Sequence, residues 1–511
     1  MVEAATAVRE IPDVIRQTPT TTESSKERHW FYDNHLQPEI IQGGMGVAIS
    51  DWKLARSVAI AGEKLGERVL GVVSGTALPV VMVDRLQKGD LDSRRALRAL
   101  DEKYNITMGQ EIIDEYYVPK GDVNKDRKYK LAPKPEVLVN GTSEQKDKMN
   151  KLAIASAFAE VWLAKQGHNG PIGINELEKV QLMHLPTMLG AMLADVDFTL
   201  VGAGIPDQFP KLLDNFMIGN TAKYKIDVEG LEDKYELTLD PREYVPGEIK
   251  LKKPKNLAII SLDVLAKMLS RNDGIDGFIV EGPDAGGHNA PPRGKQIDEN
   301  REPIYTEKDI ANLVKMSSYG KPFWLAGSYG TAEKLKEAKE NGAMGVQVGT
   351  AFALCNESGF EKAMAQHVRD LIFSGELKVM TDADLSPSGF PFKKALIEGT
   401  LSQKDVIEKT KRACTLGYLV HAYQKEDNSI GFRCPAEKPE AFTGKGGDPK
   451  DVEGKVCLCR ALTAACGHAA DPKEPVVVTL GKDLEPVKKL TKEKGGNYFA
   501  EEVIVFLKPR K

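Results

Sequence analysis

The stretch GFIVEGPDAGGHNA, Gly277–Ala290, is the part of this sequence that says most about fold and function. A short apolar run ends there in a turn that carries paired glycines and one histidine, His288. Gly286 and Gly287 have no side chains, so a flat ligand could approach their backbone closely. A histidine on such a turn can move a proton at neutral pH. The alternative interpretation is an ordinary glycine-rich surface turn, because single short motifs often match by chance.

Eight short apolar runs, most of which contain glycine, alternate with helix-like segments along the chain. Near-continuous apolar strands are typical of a parallel sheet buried on both faces. The pattern therefore predicts an α/β fold, a (β/α)8 barrel. A doubly wound open sheet is the structural alternative, but no GxGxxG opens a helix after an early strand. The runs are 39–46, 67–75, 171–175, 197–206, 256–262, 277–283, 322–328 and 345–352.

Three regions do not follow this alternation of strands and helices, and they indicate the domain organisation. Residues 1–37 are predicted to be an N-terminal tail, and residues 38–400 the barrel. A long polar insertion, about 90–155, separates the second and third strands, since no crossover needs that length. Residues 401–511 are predicted to form a C-terminal extension that packs on the barrel. It begins with helical patterning around Asp405–Tyr423 and ends in a strand-like EEVIVFL at Glu501–Leu507.

Composition narrows the class of protein. The chain has 511 residues and a net charge of only -4, so it gives no electrostatic case for binding nucleic acid or an anionic membrane. No window approaches the roughly 20 apolar residues of a membrane span, and the N-terminus has no signal-peptide pattern. Six cysteines are too few and too unevenly placed for a disulfide framework. We expect a cytoplasmic enzyme with a small-molecule substrate, and a homodimer is possible.

The predicted strand ends carry residues suited to one ligand. In such barrels ligands lie at the carboxyl ends of the strands, and phosphate is often held after the seventh and eighth. The turns Gly43–Gly46, Ala326–Gly330 and Gln347–Thr350 fall at the first, seventh and eighth ends. Helix N-termini there could meet a phosphate. Together with His288, they predict a flat, phosphate-bearing ligand across the barrel mouth.

Six motifs in matching order resemble the nitronate monooxygenase family, which consists of FMN-dependent TIM-barrel enzymes. They are IQGGMG (41–46), GAGIP (202–206), EGPDAGGH (281–288), AGSYG (326–330), GVQVGTAF (345–352) and SPSGFPF (386–392). The resemblance covers about residues 38–395. It implies that FMN is the cofactor. It also implies that His288 is the catalytic base, because it occupies the position of that residue in the family. By the same resemblance, Gly44, Met45, Asn175, Glu281, Gly286, Gly287, Gly327, Ser328, Gln347, Gly349 and Thr350 would line the FMN site.

The resemblance implies oxidation of an alkyl nitronate or similar activated carbon acid with O2. A second possibility is an NAD(P)H-dependent flavin reductase of enoyl-thioester or quinone substrates. A third, from another class, is a phosphate-ligand-binding barrel without redox activity. The chain departs from the family's Gly-Gly at Gly327-Ser328, which could shift phosphate contacts toward the Ser328 hydroxyl. The insertion, the extension and the stiff loop after His288 are departures that imply a different substrate.

The C-terminal cysteines form a separate candidate site. Cys434, Cys457, Cys459 and Cys466, followed by His468, have the ligand types for zinc or an iron–sulfur cluster. Their spacing matches no common pattern, because CxC is not the CxxC of zinc turns. Free cysteine often packs as a small hydrophobe, so buried unpaired thiols are the preferred interpretation and no metal is predicted.

Overall fold

Eight parallel strands close into a barrel in the computed structural model, which describes residues 37–120 and 128–508. Each strand pairs with its neighbours in the chain, and the first strand pairs with the eighth, Ile40 lying opposite Val346. The predicted (β/α)8 barrel is confirmed, with all eight predicted strands in place. The barrel strands are Ile40–Gln42, Val69–Ser74, Ile172–Leu177, Phe198–Gly202, Lys255–Ile260, Gly277–Glu281, Phe323–Ala326 and Gly345–Val348.

Apolar side chains fill the barrel interior. Trp324 is completely buried there, and its indole Nε1–H donates to the Pro38 carbonyl, 2.7 Å away. Leu70, Leu200 and Ile279 pack in the same cluster. Because the interior is a packed core, a ligand has room only at the ends of the strands.

Helices surround the barrel and return the chain between strands. Helices stand between the strands as the alternating pattern predicts, for example Ala332–Glu340 in the helix-like segment 331–341 and Asp263–Leu269 in the segment 262–269. Each of these segments is amphipathic enough to bury one face on the strands. The remaining helices of this layer are Trp52–Leu65, Leu78–Gln87, Ser143–Ala164, His184–Leu193, Phe209–Met217, Leu313–Ser318, Thr350–Ala353 and Lys362–Ser374.

The insertion between the second and third barrel strands is helical. It contains Leu91–Tyr104, Met108–Tyr116 and the short Val137–Asn140. The long helix Ser143–Ala164 then completes the crossover, and its start is fixed by a capping box between Thr142 and Gln145. The predicted boundary near residue 155 falls inside this helix, so the polar insertion and the crossover share one element.

A second excursion, between the fourth and fifth barrel strands, was not predicted from the sequence. Ala222–Ile226 and Tyr235–Leu239 pair antiparallel, and the two-residue strand Val228–Glu229 pairs with His421–Gln424 of the C-terminal region. In Ala222–Ile226 alternate residues are buried and exposed, the pattern of a half-buried strand. The strand was missed because its apolar positions alternate with lysines rather than forming a continuous run.

The chain that follows the helix Lys362–Ser374 is mixed α and β, with a hairpin first and the C-terminal region, residues 401–508, after it. The hairpin Lys378–Asp382 and Phe392–Leu396 is antiparallel, as is the pair His421–Gln424 and Ile430–Arg433. Of the helical patterning expected at 405–423, only Lys404–Lys409 is a helix, and the segment ends in a strand. The other helices are Pro439–Gly444, Leu458–Ala465, Glu485–Glu493 and Ala500–Leu507.

The strand predicted at Glu501–Leu507 is wrong, because these residues form the helix Ala500–Leu507. The Glu502 carboxylate accepts a hydrogen bond from the Phe499 amide, 2.8 Å away, and so caps the helix start. Val503, Ile504 and Leu507 are buried on one helical face. A short β-branched run does not distinguish strand from buried helix by composition alone.

The predicted N-terminal tail, residues 1–37, lies outside the described residues except at its last position. Among the described residues no helix has the length and apolar character needed to cross a lipid bilayer.

Candidate active site

A single cavity opens at the carboxyl ends of the barrel strands, and the structure brings all twelve predicted site residues to its wall. Their roles in binding and catalysis stay predictions. The residues are Gly44, Met45, Asn175, Glu281, Gly286, Gly287, His288, Gly327, Ser328, Gln347, Gly349 and Thr350.

The loop that carries His288 is held by backbone hydrogen bonds on both sides. Gly287 adopts a left-handed conformation with a φ of 80°, which glycine accepts without strain. Its carbonyl accepts from the Lys393 amide at 2.9 Å, and its own amide donates to the Thr479 hydroxyl at 2.8 Å. The Asn289 amide donates to the Pro391 carbonyl at 2.9 Å. The hairpin after the barrel and the C-terminal region therefore fix the direction of the histidine.

The His288 imidazole is oriented by a chain of hydroxyls and by an aromatic ring. Its Nε2 lies 2.8 Å from the Ser386 Oγ, which in turn lies 2.7 Å from the Ser388 Oγ. The Phe392 ring packs edge to face against it, with the ring centroids 4.8 Å apart. Burial lowers the pKa of His288 to about 4, because a charged imidazolium loses its hydration there. At neutral pH the ring is therefore uncharged and can accept a proton.

Glu281 and Lys393 lie beside this loop, near enough for the charge of Lys393 to act on the Glu281 carboxyl. Lys393 is completely buried, and its ammonium donates to the Asn289 side chain at 3.0 Å, to the Thr381 hydroxyl at 2.8 Å and to the Pro283 carbonyl. These bonds tie both ends of the histidine loop to the hairpin. Burial raises the pKa of Glu281 to about 7, although the charge of Lys393 opposes that shift. Burial also lowers the pKa of Lys393 to about 8.

The turn after the seventh strand is built from two residues in the left-handed region. Gly327 has a φ of 86° and Ser328 a φ of 62°. Ser328 occupies a conformation that favours glycine, which gives a physical reason for the Gly-Gly of the family; the side chain costs about 1–2 kcal/mol there. Its hydroxyl donates to the Asp284 carboxylate at 3.0 Å. The turn leads directly into the helix Ala332–Glu340, as a phosphate-binding turn would.

The end of the neighbouring eighth strand contributes an acceptor without a partner, since Gln347 pairs with Ala326 in the barrel. Gln347, at the end of the eighth strand, has a buried side-chain oxygen that receives no hydrogen bond. Such an atom is costly unless a donor reaches it, and a ligand in the cavity could supply one. At Gly44 the lack of a side chain serves packing, because a Cβ there would lie 2.2 Å from the Asn175 Cβ.

The C-terminal region supplies part of the cavity wall, and sequence reasoning did not identify these residues. Thr479, Leu480 and Gly481 line the cavity beside the histidine loop, and Leu462 and Ala465 line it from the helix Leu458–Ala465. The Gly481 amide donates to the Thr350 hydroxyl at 2.9 Å, so that hydroxyl already has a protein partner. The local sequence VVVTLG gives no signal of this role, because the contact depends on how a distant segment folds back.

Residues 248–380 match the family model described as nitronate monooxygenase. The resemblance to the nitronate monooxygenase family is confirmed. The matched segment contains the last four barrel strands, and with them Glu281, His288, Ser328, Gln347 and Thr350. The nitronate monooxygenase match supports an oxidoreductase.

Solved structures resemble the chain at low sequence identity. FabK from Thermotoga maritima is 14% identical with a TM-score of 0.45, and the alignment covers 94% of each chain. A nitroalkane oxidase from Streptomyces ansochromogenes is 13% identical with a TM-score of 0.41, over 93% of this chain and 96% of the other. The enoyl reductase domain of MlnA from Bacillus amyloliquefaciens is 10% identical with a TM-score of 0.43, over 93% and 94%. No curated protein sequence gives a significant match.

Proposed function

We propose that this protein is an FMN-dependent oxidoreductase of the nitronate monooxygenase type, which oxidises an alkyl nitronate or a similar activated carbon acid with O2. The observation that carries the proposal is the convergence of His288 and the glycine-rich strand ends on one cavity, within and around the segment that matches the family. FMN would supply the electron acceptor for the oxidation, and the protein would supply position, charge and proton transfer.

The cavity residues fit a flavin mononucleotide. The unpartnered Gln347 oxygen could accept from a ring N–H of the isoalloxazine. The left-handed turn at Gly327 and Ser328 and the helix that follows would hold the phosphate, because helix N-termini favour anions. The Asp284 carboxylate accepts a hydrogen bond from the Ser328 hydroxyl. It would not contact the phosphate directly, because two negative charges repel each other.

His288 would take the α-proton of a substrate that arrives as the neutral carbon acid, whereas a nitronate arrives with that proton already removed. Its low pKa keeps it in the neutral form, and a neutral imidazole has one nitrogen able to accept a proton. If Nε2 carries the hydrogen and donates it to Ser386, the lone pair lies on Nδ1. The hydrogen-bonded hydroxyls of Ser386 and Ser388 would then keep the proton of the imidazole on Nε2. The hydrogen bond at one ring nitrogen of a histidine commonly decides which nitrogen carries the proton.

Anaerobic rapid mixing of the flavin-bound protein tests the proposed reaction. An alkyl nitronate is expected to bleach the flavin absorbance within the turnover time, and NADH or NADPH is expected to bleach it far more slowly. Rapid bleaching by the nicotinamide nucleotide alone would overturn the proposal in favour of a flavin reductase. Protein that binds no flavin would support a barrel without redox activity.

The pH dependence of kcat/KM should follow the ionisation of Glu281 rather than that of His288. Glu281 has a raised pKa of about 7, so it gains a negative charge as the pH rises through neutrality. An anionic nitronate would then be repelled, and kcat/KM should fall as the pH rises above about 7. His288 remains neutral over this range, since its pKa is about 4. In Glu281→Gln the inflection near pH 7 should disappear, and an unchanged inflection in that variant would contradict the assignment.

A further inference from the structure

A second cavity, the side cavity, lies between the excursion after the fourth barrel strand and the C-terminal region. It has a volume of about 530 Å³, and its wall includes the exposed residues Asp227 and Lys234, so solvent can enter it. Ser388 also lines it. None of the described residues lines both this cavity and the one that contains His288. A link between the two cavities must therefore run through the side chains that stand between them.

A tight turn, residues 386–389, reaches from His288 to the side cavity. The Gly389 amide donates to the Ser386 carbonyl at 3.3 Å and closes the turn. Gly389 has a φ of 80°, which glycine accepts without strain. Ser386 is completely buried, whereas Ser388 is half-buried. The turn therefore places one hydroxyl in the interior and the next at the wall of the side cavity.

The C-terminal region holds this turn in place. The His421 side chain lines the side cavity, and its Nε2–H donates to the Pro387 carbonyl at 2.9 Å. Pro387 stands between the two serines, and its ring restricts the backbone there. A restrained backbone therefore sets the distance between the two hydroxyls.

The hydrogen-bond partners of the two serines fix the direction in which protons are donated. The Ser386 hydroxyl oxygen accepts from the Ser388 amide at 3.2 Å and, with the hydrogen of His288 on Nε2, from the imidazole at 2.8 Å. Both of its lone pairs are then occupied, so its own hydrogen goes to the Ser388 hydroxyl, 2.7 Å away. The Ser388 oxygen also accepts from the Phe390 amide at 3.4 Å. Its hydrogen then has no acceptor among the described residues and is free to reach water in the side cavity.

Burial makes a lasting positive charge on His288 unfavourable. It lowers the pKa of the imidazole to about 4, because the imidazolium loses its hydration. A proton that reaches Nδ1 therefore needs a route by which another proton leaves the ring. While a substrate occupies the cavity beside Nδ1, the hydroxyls bonded to Nε2 offer that route.

We propose that Ser386 and Ser388 form a proton relay between His288 and the solvent of the side cavity, an inference that rests on the proposed role of His288 as a base. When Nδ1 takes the α-proton of a neutral carbon acid, the electron pair of the broken C–H bond stays on the carbon. The Nε2 hydrogen passes to Ser386, the Ser386 hydrogen to Ser388 and the Ser388 hydrogen to water. One proton enters the relay and one leaves it, so the imidazole remains neutral.

The relay returns to its starting state after the product leaves. A proton then passes from the side cavity through the two hydroxyls to Nε2, and Nδ1 releases its proton to water in the open active-site cavity. The hydrogen of His288 is again on Nε2, and the lone pair is again on Nδ1. Over the whole cycle the protein gains and loses the same number of protons.

A comparison of two substrates tests the relay in turnover. Ser388→Ala removes the outer hydroxyl but leaves the bond between Ser386 and His288. Turnover of a neutral nitroalkane should fall by about 10-fold or more, a part of the usual contribution of a general base. Turnover of the preformed nitronate should fall far less, because no α-proton has to leave. Added imidazole accepts protons and is small enough for the side cavity, so it should restore part of the nitroalkane rate.

Ser402→Ala is the matched control. The Ser402 hydroxyl lies 2.8 Å from the Thr400 hydroxyl, and this similar pair makes no hydrogen bond to His288. The control should keep the wild-type ratio of nitroalkane to nitronate turnover. Ser388→Thr keeps a hydroxyl, so it should recover most of the ratio that Ser388→Ala loses.

Hydrogen exchange of the imidazole tests the relay without flavin or substrate. In protein labelled with ¹⁵N-histidine, the Nε2 proton of His288 should exchange with solvent several times more slowly in Ser388→Ala than in the wild type. The signal is identified by its absence from His288→Ala. Slower exchange in a protein that oxidises neither substrate would support the relay while the proposed function fails. Equal exchange rates, or an equal fractional loss of turnover for nitroalkane and nitronate, would overturn the relay and leave the hydroxyls as supports of the imidazole.

Discussion

Replacing His288 with alanine is expected to lower turnover of a neutral carbon acid, such as the parent nitroalkane, by about 10²–10⁴-fold, the usual contribution of a positioned acid or base. The bound FMN should remain, because the loop is held by the backbone groups of Gly287 and Asn289 and by the Lys393 ammonium rather than by the imidazole. The measurement is steady-state turnover at fixed flavin content, with the absorbance spectrum recorded for each preparation.

A matched control is available in His367, which is exposed on the helix Lys362–Ser374. His367→Ala should leave both turnover and flavin content unchanged. Full activity in His288→Ala would contradict the role of this residue as a base. Loss of flavin together with activity would instead assign the imidazole to cofactor binding.

The largest effect on stability is expected at Arg85. This buried guanidinium donates to Glu160 at 2.6 Å and to Asp51 at 3.3 Å, and so joins the crossover helix Ser143–Ala164 to the helix Trp52–Leu65. Arg85→Met would leave two buried carboxylates without a cation, which costs about 3–5 kcal/mol. The expected result is a lower free energy of unfolding in urea, with the barrel helices unfolding earlier.

Arg242→Met provides the comparison for Arg85. Arg242 pairs with Asp240 at 2.5 Å, but its side chain is 61% exposed, so solvent screens the pair and its loss should change the stability little. Equal losses of stability in the two variants would show that burial does not decide the strength of the Arg85 pairs.

The barrel could be predicted because its strands carry their own signal. Runs such as residues 277–280 are buried on both faces, and a strand that is buried on both faces is apolar at nearly every position. The half-buried strand Ala222–Ile226 has no such run, and it escaped prediction. Glu501–Leu507 has the same composition as a barrel strand, yet it is a helix because Glu502 caps its start and one face packs on the core.

The part of the candidate site that could be predicted is the part formed by short continuous motifs. The glycine turns and His288 are read from single strand ends, and the structure brings them to one cavity. Thr479, Ser386 and Lys393 escaped, because their contacts with the histidine loop join positions about a hundred residues or more apart in the chain.

The central claim is that the barrel mouth holds FMN, and the absorbance spectrum of the purified protein tests it most directly. The protein should be yellow, or become so after incubation with FMN, and should retain about one FMN per chain after gel filtration. Gln347→Leu should weaken that retention, because it removes the unpartnered acceptor from the cavity wall. A colourless protein that binds no added FMN would contradict the account.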